Sequence, residues 1–252
     1  MSKRLAAIIL ALFLSFQFVN AQDMAEDAKK LYNEGNSKRE AGDFNGAIQS
    51  YDKALAISKD YRIYYNKGIS QKKLNLHQES IVTLTECIKL KPDFDLGYNA
   101  RGGSYFSLNM FDEALADFEK VISVSTNAKM KSAAKSAISR TYTKQAQDAL
   151  ANGDAAKAVR LANKAVEQEK YDAAYLLLAR ANYDLADYDK SIAAAQAALD
   201  NRKSISAGGP NYYIGVSYKQ KGDLTKAREF LQKAATDPTY AATANYELSL
   251  IK

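Results

Sequence analysis

Residues 98–121, YNARGGSYFSLNMFDEALADFEKV, hold the fullest copy of a pattern that recurs along this 252-residue chain. The recurring positions are aromatic, small or turn-forming residues, namely Tyr98, Gly102, Tyr105, Asn109, Phe111, Ala114, Phe118 and Val121. In the first copy, Ala47, Tyr51 and Ala54 are spaced by four and three residues, which places them on one face of a helix. Asparagine or glycine at the centre can adopt the left-handed conformation that ends a helix. Each copy therefore predicts two helices joined by a tight turn.

The turn residue returns at a near-constant interval. It is Gly42, Asn75, Asn109, Gly153, Ala186 and Gly222 in successive copies, at steps of 33, 34, 44, 33 and 36 residues. A period near 34 residues indicates a solenoid of helical hairpins. Ala186 breaks the turn rule, so we expect that turn to be built differently. Asp43, Asp154 and Asp223 follow the glycines and are predicted to cap the second helix of their hairpins.

The pattern resembles the tetratricopeptide repeat, in which a bulky residue, Leu-Gly and Tyr are followed by Ala, Phe, Ala and Pro. The resemblance covers residues 28 to about 240 in six copies that keep the same register. It implies an all-α, right-handed solenoid of six helical hairpins, whose open end we expect a last helix, Ala241 to Ile251, to cap. Proteins of this family bind other molecules along an extended curved surface, so the resemblance implies a binding function.

The first 21 residues are predicted to be a secretory signal peptide. Lys3-Arg4 gives a short basic start, an apolar run follows, and Val19-Asn20-Ala21 offers small residues for cleavage before Gln22. A retained membrane anchor is the alternative, but the run is short for a span. We expect an exported protein, in a bacterial periplasm or else at the cell surface or secreted.

The mature chain is predicted to divide into residues 22–127, with repeats one to three, and residues 128–252, with a helical extension, repeats four to six and the capping helix. The extension carries Lys129, Lys131 and Lys135 with no acidic residue nearby. These lysines predict either a solvated helix face or a surface for an anionic partner or lipid headgroups. Residues 206–210, SAGGP, predict a loop between repeats five and six.

The composition argues against catalysis. The chain has one histidine, one cysteine and no tryptophan, with a formal net charge of +6. No Cys–His set has the spacing of a metal site, and no glycine-rich phosphate loop follows a strand. The basic residues form no long stripe of the kind that binds nucleic acid. We therefore predict no enzyme, no metal, no cofactor and no nucleic-acid partner.

The resemblance implies that the first helix of each hairpin lines a concave groove. The residues that it places in the groove of repeats one to three are Tyr32, Asn33, Asn36, Arg39, Tyr65, Asn66, Ile69, Lys72, Asn99 and Phe106. Asparagine amides can both donate to and accept from a peptide backbone, and tyrosine favours interfaces. The clamp with which some members grip a chaperone's terminal carboxylate is not expected, because its basic positions fall on Tyr32, Leu96 and Ala100.

The predicted function is a protein–protein interaction scaffold of the bacterial cell envelope, binding a peptide or helix in this groove. Two alternatives stay open. One is a cell-wall or glycan-binding module, since tyrosine faces also stack on sugars. The other is an accessory subunit of an outer-membrane assembly or secretion machine.

Overall fold

The computed structural model describes residues 24–251, and the predicted signal peptide lies outside this range. The described residues form thirteen α-helices and no strand. In chain order the helices are α1 (Glu26–Glu40), α2 (Phe44–Ile57), α3 (Tyr61–Lys73), α4 (His77–Leu90), α5 (Asp95–Ser107), α6 (Phe111–Val124), α7 (Ala128–Ala151), α8 (Ala155–Gln168), α9 (Asp172–Asp184), α10 (Tyr188–Asp200), α11 (Gly208–Gln220), α12 (Leu224–Ala235) and α13 (Ala241–Ser249).

Consecutive helices pair into six hairpins that stack one on the next. Each odd-numbered helix from α1 to α11 packs against the even-numbered helix that follows, and each hairpin packs against its neighbours. Helix α13 packs on α12 at the end of the array, where a last helix was expected to cap the open face. The predicted all-α solenoid of six hairpins is therefore confirmed.

All six turns between paired helices use a residue with positive φ. The values are 83°, 75° and 84° at the three glycines and 60° and 58° at the two asparagines of the period. Ala186 has a φ of 59°, so the expectation of a different turn was wrong. The stack fixes the distance between paired helices, and this constraint holds an alanine in a conformation that costs about 1–2 kcal/mol.

Side-chain caps begin the second helices where the sequence predicted them. Asp43 accepts from the N–H of Gly46 at 2.8 Å, Asp154 from that of Lys157 at 2.8 Å, and Asp223 from that of Lys226 at 3.1 Å. Each carboxylate occupies the end of the helix where the N–H groups lack partners and the dipole is positive.

Small residues allow the paired helices to approach closely. A Cβ atom added to Gly68 would lie 2.6 Å from Cγ of Leu84 on the partner helix. Ala114, Ala158 and Ala227, which follow the turns of later copies, are fully buried. The recurrence of small side chains thus sets the spacing of each hairpin, and the core is a series of clusters between hairpins.

The two irregular segments differ in outcome. The predicted extension is real: α7 is a single helix of 24 residues whose N-terminal turns bury Ala134, Ala137 and Ile138. The predicted loop at residues 206–210 is partly wrong, because α11 already begins at Gly208 and contains Pro210 in its first turn. Proline fits there because the first N–H groups of a helix have no intrahelical acceptor.

The loop between α10 and α11, residues 201–207, is held by one carboxylate. Asp172 at the start of α9 accepts from the backbone N–H groups of Lys203, Ser204 and Ile205 at 2.6, 2.6 and 3.1 Å. It also accepts from the Ser204 hydroxyl at 2.6 Å and from the N–H of Ala173 at 2.9 Å. Burial opposes ionisation here, but the hydrogen bonds from residues 203–205 outweigh it and hold the pKa of Asp172 far below its usual range.

Candidate functional site

The first helices of repeats one to three lie side by side and carry all ten residues predicted for the groove. Helices α1 and α3 are in contact, as are α3 and α5. Because the hairpins repeat in register, residues that precede the turn by the same number of positions become neighbours on adjacent helices. We call this surface the groove. It is defined by the ten predicted residues together with Gly103.

The groove side chains of repeat one surround a buried tyrosine. Tyr51, fully buried on α2, donates its hydroxyl to Oδ1 of Asn36 at 2.8 Å, and its ring lies 6.1 Å from that of Tyr32. Burial raises the pKa of Tyr51 to about 12, against the opposing charge of the nearby Arg39. Asn36 and Tyr32 therefore support the hairpin as well as face the groove.

Asn66 links the first two repeats rather than standing free. Its Nδ2 donates to the Tyr32 hydroxyl at 2.8 Å and to the carbonyl of Arg62 at 3.2 Å. We predicted that this amide would donate to and accept from a peptide backbone. The structure corrects the first part, because both hydrogen bonds that Nδ2 donates are made within the protein. Asn33 is exposed, and it lines a cavity of about 450 Å³ with Tyr32 and Arg62 at the N-terminal end of the groove.

Two of the predicted aromatic and apolar residues are packed into their neighbours. Tyr65 meets Phe94 edge to face, with ring centroids 5.2 Å apart, and burial raises the pKa of its hydroxyl. Phe106 meets Phe111 in the same way at 6.0 Å. Ile69 is half-buried on α3. The two aromatic rings are therefore held by packing within the protein.

Lys72 is a half-buried cation of the groove that lies against a neighbouring helix. It crosses from α3 to α5, where its Nζ lies directly against the backbone of Gly103, a residue with no side chain to exclude it. It is half-buried, and within residues 24–251 it has neither an ion pair nor a hydrogen bond. Burial, with a smaller contribution from the like charge of Lys73, lowers the pKa of its ammonium.

Arg39 occupies the position equivalent to Lys72 one repeat earlier. Both residues lie three positions before the turn, at Gly42 and Asn75 respectively. Nε of Arg39 is buried without a hydrogen-bond partner among the described residues, and its contact with the exposed Glu40 is a loose 3.8 Å. The groove therefore contains two neighbouring cations that are incompletely neutralised by the protein.

Asn99 stands one helical turn before Gly103 on α5. It is half-buried and makes no side-chain hydrogen bond within the described range. Since residues four apart share a helix face, its amide lies on the same side of α5 as the Lys72 ammonium. An anionic group at Lys72 would find this amide as a second donor.

Gly103 was not predicted to admit a cation from the neighbouring helix, because no sequence pattern shows which side chain fills the space beside a glycine. Asn36 and Asn66 match the two asparagines of the chaperone-type clamp, and each is hydrogen-bonded within the protein: Asn36 Oδ1 accepts from the Tyr51 hydroxyl, and Asn66 Nδ2 donates to the Tyr32 hydroxyl.

The three lysines of the extension do not form one patch. Lys131 and Lys135 are four residues apart and share a face of α7, whereas Lys129 is rotated from Lys131 by about 200°. Lys129 and Lys135 are exposed and Lys131 is half-buried. The predicted surface is thus divided between two sides of the helix.

A cluster of aromatic side chains lies in repeats five and six and the segment that follows them. The rings of Tyr183, Tyr188, Tyr212, Tyr213 and Tyr240 form a continuous chain of contacts, with centroids 5.4 to 6.0 Å apart. None of these hydroxyls makes a hydrogen bond within residues 24–251. We call these five residues the tyrosine cluster.

Within the described range, no group of three or more His, Cys, Asp or Glu side chains is placed to hold a metal ion. The same residues contain no helix that is long and apolar enough to span a membrane. Cys87 is buried, and burial raises its thiol pKa to about 12.

The fold and groove define a helical-repeat binding protein. Models of the tetratricopeptide repeat match residues 28–61, 61–94 and 97–127, residues 143–208, and residues 211–238. These ranges cover well over half of the chain, so the protein belongs to the tetratricopeptide repeat family, as its sequence pattern predicted.

Similar proteins come from several settings. The small glutamine-rich tetratricopeptide repeat-containing protein 2 of Mycosarcoma maydis is 29% identical over 142 residues, which span 54% of this chain and 40% of that protein. Heat shock protein STI1 of Saccharomyces cerevisiae is 27% identical over 129 residues, or 50% of this chain and 21% of that protein. The chain therefore spans less than half the length of these curated relatives.

One solved structure of similar fold is that of YrrB, described as a tetratricopeptide repeat protein with an unusual peptide-binding site. It superposes with a TM-score of 0.52 at 18% identity, over 79% of this chain and 99% of that chain. At this identity the likeness concerns the fold alone.

Proposed function

We propose that this protein binds a peptide segment of a partner protein in the groove of repeats one to three, and that the segment presents a carboxylate to Lys72 and Arg39. Peptide binding in general is consistent with membership of the tetratricopeptide repeat family. YrrB is described as having a peptide-binding site, although its site is called unusual. The carboxylate is our own addition and rests on the two cations.

The observation that carries this proposal is the unpaired ammonium of Lys72. Partial burial removes some of its hydration, and the described residues supply no acid in return. A partly desolvated ammonium is stabilised when a ligand supplies the opposite charge. A carboxylate at this position would receive a charge-assisted hydrogen bond from Lys72, another from Arg39, and an amide from Asn99.

We further propose that the protein acts as a scaffold after export, in a bacterial cell envelope. The support for export is the Lys3-Arg4 start and the Val19-Asn20-Ala21 cleavage pattern of the first residues. The proposed mechanism is non-covalent binding. An accessory role in outer-membrane assembly or secretion is one form that such a scaffold would take.

A peptide library tests the groove assignment. Random twelve-residue peptides with free carboxyl ends are selected on the purified mature chain, residues 22–252. Enriched peptides should carry Asp, Glu or the terminal carboxylate at one fixed position. Their affinity should fall about tenfold in Lys72→Gln, since the loss of one charge-assisted hydrogen bond is worth about 1.5–3 kcal/mol.

Lys73→Gln is the matched control. It removes the same charge one residue away, from an exposed side chain that is rotated from Lys72 by about 100° around the helix. Equal weakening by both substitutions would mean that only the net charge matters, and the Lys72 assignment would then be wrong. Enrichment of peptides without any fixed acidic position would have the same consequence.

The tyrosine cluster favours a second candidate function, the binding of a cell-wall glycan in repeats five and six. Tyrosine rings with free hydroxyls can stack on sugar rings and bond to their hydroxyl groups. Binding of soluble peptidoglycan fragments, lost in Tyr212→Ala and retained in Lys72→Gln, would support this candidate. An absence of saturable binding to such fragments would remove it.

A further inference from the structure

The two places where the chain departs from its repeat meet at one cavity. Helix α7 has 24 residues, whereas the other first helices have 13 to 15. Ser136 and Arg140 of α7 form one wall of a cavity of about 490 Å³, and Lys203 and Ser204 of the loop before α11 form another. The cavity is separate from the groove, since none of its lining residues belongs to repeats one to three. The irregular segments thus build a feature that a regular array would lack.

The lining carries three cations. They are Arg140, Lys170 and Lys203, and none makes an ion pair or a side-chain hydrogen bond within residues 24–251. One acidic side chain on the rim, Glu169, is exposed and likewise makes no ion pair in that range. The three cations are exposed side chains that line the same cavity, and no ion pair of the described residues neutralises them.

The other carboxylate of the lining, Asp172, is already hydrogen-bonded within the protein. It is 1% exposed and accepts five hydrogen bonds, three of them from the backbone of residues 203–205. The N–H dipoles compensate its charge, so it competes little for the surrounding cations. Its second effect is geometric, because it fixes the backbone of Lys203 and Ser204 against the start of α9. One wall is thus a rigid helix and the other is a loop held by hydrogen bonds, as preorganised binding requires.

We propose that this cavity is a binding site for a phosphate group, carried either by a small phosphorylated compound or by a phospholipid headgroup. A phosphate ester carries a charge near −1.5 to −2 at pH 7 and three acceptor oxygens, which suits several convergent cations better than a single carboxylate does. Arg140 offers a planar fork for two of the oxygens. The hydroxyls of Ser136 and Tyr171 lie on the same lining and supply neutral donors.

The chain offers a matched control on the same helix. Lys131 and Lys135 line no part of the cavity, and helical geometry places them about 140–180° from Arg140. The double variant Arg140→Gln/Lys203→Gln removes two charges from the cavity, and Lys131→Gln/Lys135→Gln removes two charges from the far side. All four side chains lie at the surface or close to it, so both variants are expected to keep the wild-type circular dichroism spectrum and melting temperature.

Calorimetric titration with inorganic phosphate and with pyrophosphate tests the site in the mature chain. We expect saturable binding that weakens by about tenfold or more in Arg140→Gln/Lys203→Gln, as expected for lost charge-assisted hydrogen bonds, and by less than about twofold in the control. Absence of saturable binding to the wild type, or an equal loss in both variants, would overturn the proposal.

Vesicles distinguish the two sources of the phosphate. Sedimentation is measured with phosphatidylcholine vesicles that either contain or lack phosphatidylglycerol. Retention on the anionic vesicles that is lost in the cavity variant and kept in the control supports the headgroup. Binding of soluble phosphate without retention on vesicles supports a free phosphorylated compound. Retention that only the Lys131→Gln/Lys135→Gln variant loses would contradict the cavity as the lipid site.

Discussion

We expect Asp172 to make a large contribution to the free energy of unfolding. The Asp172→Asn substitution measures this contribution. In the variant, one oxygen becomes an NH₂ group that cannot accept. If the remaining oxygen keeps the three backbone donors, the Ser204 hydroxyl and the N–H of Ala173 lose their partner. Hydrogen bonds to a charged group contribute about 1.5–3 kcal/mol each, and water replaces part of this near the exposed Ser204. We expect the free energy of unfolding to fall by about 2–4 kcal/mol.

The assay combines urea unfolding, followed by circular dichroism, with hydrogen exchange of single amides. The N–H groups of Lys203 and Ile205 should exchange faster in Asp172→Asn, whereas those of α3 in repeat two should not change, because repeat arrays are stabilised mainly by neighbouring units. Asp189→Asn is the control. Asp189 is an exposed residue paired with Lys221, and its substitution should change stability by less than about 0.5 kcal/mol.

The difference in unfolding free energy between the wild type and Asp172→Asn should decrease as the pH is lowered. The native pKa of Asp172 is lowered, so its stabilising contribution is fully present above the unfolded value of about 3.9 and declines as the pH falls below it. The gap between wild type and Asp172→Asn should therefore narrow from pH 6 towards pH 2. A variant that matches the wild type at pH 6 in both unfolding and exchange would refute this account of the loop.

Three further predictions concern the turns, the helix spacing and export. Ala186→Gly should raise the free energy of unfolding by about 0.5–1 kcal/mol, measured by urea denaturation, because glycine relieves the positive φ at some entropic cost; lower stability would contradict this. Gly68→Ala should destabilise by about 1–3 kcal/mol in the same assay, since its Cβ would press on Leu84, and an unchanged midpoint would argue against close packing there. Mass spectrometry of the native protein should find Gln22 at its N-terminus, whereas an uncleaved chain would contradict the signal peptide.

Much of the fold could be predicted because the same sequence pattern occurs six times. A single Gly or Asn is weak evidence for a turn, but six turn residues in register predict where the helices begin and end. All six adopt positive φ. Ala186 was misjudged because residue preference was weighed alone. In the structure, the packing of the hairpins on either side decides the turn. The start of α11 was not predicted for a related reason. Gly208 and Pro210 are typical of loops, but the first turn of a helix accommodates both residues.

The repeat pattern predicted that the ten groove residues lie on adjacent first helices, but it could not predict the hydrogen bonds and packing of their side chains. The repeat register places Asn66 and Tyr32 on adjacent helices, yet their mutual hydrogen bond depends on distances that no pattern encodes. The position of Lys72 over Gly103 depends likewise on how far a long side chain reaches between two helices. Asp172 gave little signal, because its partners lie more than thirty residues away in a loop without any motif.

The central proposal is that a partner lies in the groove over Lys72. The most direct test places a photo-crosslinking amino acid at Asn99, inside the groove, or at Val82, which is 60% exposed on the second helix of repeat two. Irradiation of native cells should yield a defined crosslinked partner from the Asn99 position, and that product should be lost when Lys72→Gln is added but kept with Lys73→Gln. The same partner captured from Val82 instead, or an Asn99 product that is indifferent to Lys72→Gln, would contradict the claim.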